Sequence, residues 1–148
     1  IVEEACKSVG VPYVTHKWVS GLITNFATVK SRIKYLKRLK EDEAGGQLSK
    51  YTKKEISKLK KDMVKLDKAL GGLGDMTSLP DALFVLDAVR DRTAINEAAK
   101  RGIPVVAVCD SNSNPDGIDY VVPGNDDSIK AIEFFTDSFV KTIKSANK

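Results

Sequence analysis

The sequence predicts an α/β protein: a mostly parallel sheet with flanking helices, into which a protruding antiparallel coiled-coil hairpin is inserted. Three observations carry this. Two continuous apolar runs of strand length, Ala82–Leu86 and Val105–Cys109, suit strands covered on both faces, as in a parallel sheet. A helical pattern from Thr93 to Arg101, stopped by Gly102, lies between them. Upstream, two apolar seams recur at heptad spacing within a lysine-rich stretch.

A chain of 148 residues has the length of one domain able to bury a real core. Its 42% hydrophobic and 30% charged residues are the proportions of a globular protein, not a disordered one. No apolar run approaches a membrane span and no signal peptide opens the sequence, so no membrane partner is expected. The chain starts at Ile1 without Met, already inside a helical pattern that Gly10 ends. It therefore reads as beginning partway through a fold. Val11-Pro12-Tyr13-Val14 is a short strand candidate, followed by a loop from Thr15 to Ser20.

The hairpin follows. Its first arm places apolar residues at Leu22, Phe26, Val29, Ile33 and Leu36, and its second at Ile56, Leu59, Met63, Leu66 and Leu70. Alternating steps of three and four keep a narrow seam facing a partner helix. Glu43–Ser49 supplies a turn with two glycines, and Thr52 with Glu55 forms a capping-box signature for the second arm. Arms of about 19 residues extend about 28 Å each at the helical rise. Two equal arms joined by a short loop must pair antiparallel, with their remaining faces in water. Gly71-Gly72-Leu73-Gly74 lacks a Walker lysine and a preceding strand, so it is expected to cap and hinge the hairpin exit.

After Pro80 the strand runs begin, with Ile118–Val122 as a further, shorter one. A final helix, capped by Asn125 or Asp126, is apolar at Ile129, Ile132, Phe135, Phe139 and Ile143. Alternating strands and helices indicate a Rossmann-like layered structure with right-handed crossovers. Four visible strands are few for an open sheet. The expected division is an α/β domain from residues 1–21 and 71–148, with residues 22–70 as the inserted hairpin.

Charge is lopsided. Residues 28–70 hold 14 Lys/Arg against 6 Asp/Glu, a balance of +8, while the other residues balance at −4. A localised basic element on a small domain is the electrostatic footprint of a nucleic-acid binder, although a solvated coiled-coil face has the same composition. At the hairpin root, Lys17 and Trp18 precede Gly21, where backbone can approach a phosphate, and Thr24 and Asn25 add neutral hydrogen-bonding groups. Trp18 either stacks on RNA or anchors the loop.

Other chemistry is sparse. Cys6 and Cys109 have no second Cys or His at ligand spacing and read as buried, reduced thiols. The single His16 argues against zinc or histidine catalysis. Asp87 and Asp110 end strand runs where parallel sheets place ligands, with Asn112, Asn114 and Asp116 nearby, which admits a magnesium-dependent phosphoryl-transfer site. No nucleophile–base pair or phosphate loop accompanies them, and Asp and Asn are ordinary there as loop and cap residues. No metal, cofactor or small-molecule substrate is predicted. A third reading is a module whose hairpin binds another protein.

Several blocks in order carry a resemblance. They are Pro12-Tyr13-Val14, Lys17-Trp18 through Gly21 to Phe26, Leu70–Met76, Leu79–Val85, Gly102–Val105, Asp110–Asp116 and Pro123–Asp127. With a hairpin inserted between the early blocks, the chain closely resembles the bacterial-type family of the second protein of the small ribosomal subunit, S-two. Val19-Ser20 replaces the family's usual Leu-Gly, and Ser111 and Asn114 replace Thr and Asp. The resemblance implies an N-terminal strand-and-helix segment ahead of Ile1, which this sequence is expected to lack.

The resemblance implies a Rossmann-like domain with a projecting coiled-coil arm, seated on the ribosome in a bacterial-type cytoplasm or an organelle. It implies contact with small-subunit ribosomal RNA and neighbouring ribosomal proteins, and no catalysis. Outward cations would neutralise phosphates and release counterions, and RNA duplex is read largely by shape and backbone. The candidates on the hairpin are Lys30, Arg32, Lys34, Lys37, Arg38, Lys53, Lys54, Lys58, Lys61 and Lys65, with Lys17, Trp18, Thr24 and Asn25 as the second surface.

Overall fold

The computed structural model describes residues 1–146. Its sheet has three strands, all parallel, in the order β1 (Leu83–Val85), β2 (Val105–Cys109) and β3 (Tyr120–Pro123). The predicted strand at Val11–Val14 does not form. Pro12 has no N–H for a ladder, and the Tyr13 backbone makes one bond, donating its N–H to the Gly72 carbonyl at 3.0 Å, while the Tyr13 hydroxyl donates to Glu3. The segment runs along the hairpin exit instead. The third strand starts at Tyr120 rather than Ile118 because Asp119 ends the turn: its carboxylate accepts the Val105 N–H at 2.8 Å while its own N–H donates to the Val105 carbonyl.

The two faces of the sheet are covered by different elements. Leu83 pairs with Val105 and Val85 with Ala107, so these side chains share one face. There they meet Ile95 and Ala98 of α4 (Arg92–Lys100), together with Ile23 and Trp18. Phe84 points the other way and stacks on Phe139 of α5 (Ile129–Ala146), ring centroids 4.7 Å apart. Helix α1 (Val2–Val9) packs against α5. Central β2 is covered on both sides, which is why its sequence is an unbroken apolar run. Only the β1–β2 connection contains a helix; β2 reaches β3 through a loop.

Asn125 organises the entry to α5 without being its cap. Its Oδ1 accepts the N–H groups of Asp127 and Ser128, and the first helical bond runs from Ile132 to the Ser128 carbonyl. Both thiols are free; Cys6 is buried as expected, whereas Cys109 is only half-buried.

Helices α2 (Phe26–Ala44) and α3 (Lys53–Leu70) pack side by side. Lys40 pairs with Asp67 at 2.6 Å and Lys60 with Glu43 at 2.9 Å, so the helices run antiparallel. Val29, Ile33 and Leu36 are buried as the seam predicts, and Leu39 continues it. The turn between the arms is a short 3-10 helix, Gln47–Lys50, whose Leu48 closes the far end of the apolar contact. Thr52 and Glu55 form the capping box: the Thr52 hydroxyl accepts the Glu55 N–H, and the Glu55 carboxylate accepts the Thr52 N–H at 2.9 Å.

Gly71 caps α3 and a 3-10 turn, Gly71–Leu73, returns the chain to the sheet. Gly72 is required there by closeness, since a Cβ would overlap the Tyr13 carbonyl and ring. Gly72→Ala should cost about 1–3 kcal/mol through this overpacking. The expected readout is a lowered urea midpoint in circular dichroism; an unchanged midpoint would mean that residues 11–14 yield freely.

Candidate nucleic-acid interface

The root loop is organised by a residue that sequence reasoning missed. Glu97, on α4, is 6% exposed and accepts five hydrogen bonds from the loop. Trp18 Nε1 donates at 3.3 Å and the Gly21 N–H at 2.6 Å to its Oε1. The N–H groups of Ile23 and Thr24 donate at 3.0 Å to Oε2, and the Thr24 hydroxyl donates at 3.1 Å. Gly21 adopts φ +95°, a conformation that side chains disfavour, and this turns its N–H onto the carboxylate. Burial by itself would raise the Glu97 pKa, but the donated bonds from Thr24, Gly21, Ile23 and Trp18 outweigh it. The carboxyl is held below the ordinary Glu range and stays charged.

This changes what the loop offers a ligand. The amide cluster at Gly21 already holds an internal anion, so the phosphate approach expected of that glycine is taken by Glu97. The Trp18 ring packs into both apolar clusters, one under the sheet and one at the base of α2 and α3, and so anchors the loop. Thr24 is drawn inward to Glu97, and its carbonyl accepts from Arg101 at 2.7 Å. Lys17 and Asn25 remain exposed. Asn25 Oδ1 accepts the Thr28 hydroxyl at 2.9 Å, and the first turn of α2 carries no acidic residue. One signal for Glu97 was present in the sequence: it stands beside Ala94, Ile95 and Ala98 on the apolar face of its helix.

The helical pair divides its cations unequally. On α2, Lys30 donates to the Thr77 carbonyl, Lys37 pairs with Asp75 at 3.4 Å and Arg38 with Asp42 at 3.8 Å. Arg32 and Lys34 are exposed and make no ion pair among the described residues. On α3 the same holds for Lys53, Lys54, Lys58, Lys61 and Lys65, and for Lys68.

At the sheet's carboxyl edge, the aspartates behave as loop residues. Asp87 Oδ1 accepts the N–H groups of Val89 and Arg90, and Asp110 accepts the Ser111 N–H. Asn114 and Asp116 bond each other. Carboxylate oxygens of Asp110, Asp126 and Asp127 come within 4.8 Å of one another, a donor set of the type that suits a divalent cation. Burial, and then the charges of Asp87, Asp110 and Asp127, raise the Asp126 pKa.

The model of the family described as ribosomal protein S2 matches residues 1–146. The chain belongs to that family. The match spans both the sheet and the helical pair, so the two parts belong to one family pattern. A member of the ribosomal protein S2 family is a structural ribosomal protein of the small subunit, acting in translation. Its surroundings are ribosome components, namely ribosomal RNA and other ribosomal proteins. Among the described residues, no helix is long and apolar enough to cross a membrane.

Proposed function

We propose that this ribosomal protein S2 family member is held on the small subunit by ribosomal RNA, bound through the basic pair α2–α3 and the exposed part of the root loop. The observation that carries the reading is the +8 balance of residues 28–70, set on two paired helices whose seam residues are mostly buried on α2 and mostly half-buried on α3 and whose lysines are mostly exposed. Such a surface attracts phosphate from a distance and binds with release of counterions. The heptad spacing of the paired seams supports a coiled-coil arm inserted at residues 22–70. The parallel sheet covered on both faces supports a Rossmann-like domain formed by residues 1–21 and 71–148.

Within the root loop, the geometry favours Lys17 and Asn25 as RNA contacts, with Trp18 and Thr24 positioning them through Glu97. The test is co-sedimentation of the 148-residue chain with small subunits depleted of their own copy of this protein. Stoichiometric binding that weakens steeply with salt is the expected result. Failure to sediment, or binding indifferent to salt, would overturn the reading.

A further inference from the structure

Lys54, Lys58, Lys61, Lys65 and Lys68 follow one another on α3 in steps of four, three, four and three. This is the heptad rhythm of the apolar seam, displaced to the other side of the helix. At about 100° per residue the five lysines share an arc of about 80°, opposite Ile56, Leu59, Met63, Leu66 and Leu70. Neighbours in such a row stand about 5–6 Å apart, and the row is about 21 Å long. All five are exposed and none makes an ion pair among the described residues. Asp62 and Glu55 lie at one margin of the arc, and Glu55 is occupied by the Thr52 cap. On α2, by contrast, Lys30, Lys37, Arg38 and Lys40 are each engaged within the molecule.

We propose that the outward lysine row of α3, residues 54, 58, 61, 65 and 68, is the track on which an RNA sugar–phosphate backbone lies, with Arg32 and Lys34 as the cations of α2 left unpaired among the described residues and so lesser contributors. This rests on the RNA reading above and sharpens it, adding Lys68 and removing Lys30, Lys37 and Arg38 from the contact set. An RNA backbone fits better than a protein because the arc itself presents only charge: Lys61 and Lys65 border a shallow open groove with Ile56 and Val64, but no aromatic or deep apolar anchor lies in the row. A protein partner needs a buried apolar or aromatic anchor, whereas phosphates need only a row of cations. Val64, the apolar residue of α3 that is 53% exposed, lies outside the arc.

Filter binding of the 148-residue chain to purified small-subunit ribosomal RNA, across a salt series, separates the possibilities. Replacing the five row lysines with Gln should lower affinity at least tenfold. It should also reduce the slope of log affinity against log salt by about 3.5–4.5, at about 0.7–0.9 per phosphate contact. Replacing them with Arg should restore both, which distinguishes lost charge from lost fold. A matched set on α2, Lys30, Arg32, Lys34, Lys37 and Arg38 to Gln, should change the slope by no more than about 2, the contribution of Arg32 and Lys34.

Equal losses from the two sets would overturn the proposal, as would wild-type behaviour of the row variant. A row variant that binds RNA normally yet no longer joins subunits would also overturn it, in favour of a protein partner. No salt-dependent RNA binding by the wild-type chain would instead remove the broader RNA reading, and this proposal with it.

Discussion

Glu97→Ala is expected to destabilise the protein by about 3 kcal/mol or more and to release the root loop. The side chain is 6% exposed and accepts five hydrogen bonds, so its removal strands the donors of Trp18, Gly21, Ile23 and Thr24 in a half-buried site. Each unsatisfied buried donor costs about 1–3 kcal/mol, reduced where water can enter. Trp18 is the single tryptophan of the chain, so its emission reports the loop directly. A red shift under conditions that preserve helical circular dichroism would show the loop opening ahead of the rest.

The same carboxylate makes a signed pH prediction. Its folded pKa lies below the ordinary Glu value because the bonds donated to the charged form outweigh the cost of burial. Its stabilisation is therefore complete above the ordinary Glu pKa, about 4.3, and is lost as pH falls through the lower folded value. Asp91 and Asp126, both raised chiefly by burial, titrate in the opposite sense. Glu97→Gln places an amide N–H₂ against N–H donors and removes the titration. The variant should be less stable at pH 7 and should lose stability less steeply in acid. Wild-type stability at pH 7 with an unchanged acid limb would refute the role assigned to Glu97.

Ile95→Ala is expected to cost about 2–5 kcal/mol, with a different signature. Ile95 is 0% exposed and sits among Val85, Ala98, Val105 and Ala107, where no solvent can fill the space left by its removal. For a chain of this size the thermal midpoint should fall by roughly 5–15 °C. No charge is involved, so the loss should be the same at pH 4 and pH 7. A pH-dependent loss would mean that the change reaches Glu97, two residues along the same helix. Comparing the two variants thus separates packing from electrostatics on one buried helix face.

What was legible in the sequence depended on how far apart the interacting residues lie. The seam of Val29, Ile33 and Leu36, the Thr52–Glu55 cap and the buried run of β2 are recorded within a few neighbouring residues, and all form as the pattern predicts. Val11–Val14 shows where this fails. Its composition suits a strand, but a strand needs a partner ladder, and the nearest partner is the backbone of Gly72. Cys109 is likewise apolar in context yet half-buried, since it ends β2 near the sheet's rim. Of the candidate site, residue types were legible and their engagement was not. Lys37 and Lys65 look alike in sequence, and only Lys37 makes an ion pair among the described residues.

The sequence by itself determined the helices, the central strand, the charge of the helical pair and the family blocks, because caps, periodicity and composition act over one or two turns. Only the tertiary structure decided which cations are already spoken for and that Glu97 holds the root loop from 73 to 79 residues away. Partners at that separation are chosen by the packing of α4 beneath the sheet. No local pattern encodes the choice, because a buried carboxylate gains its stability only once folding has brought its donors to it.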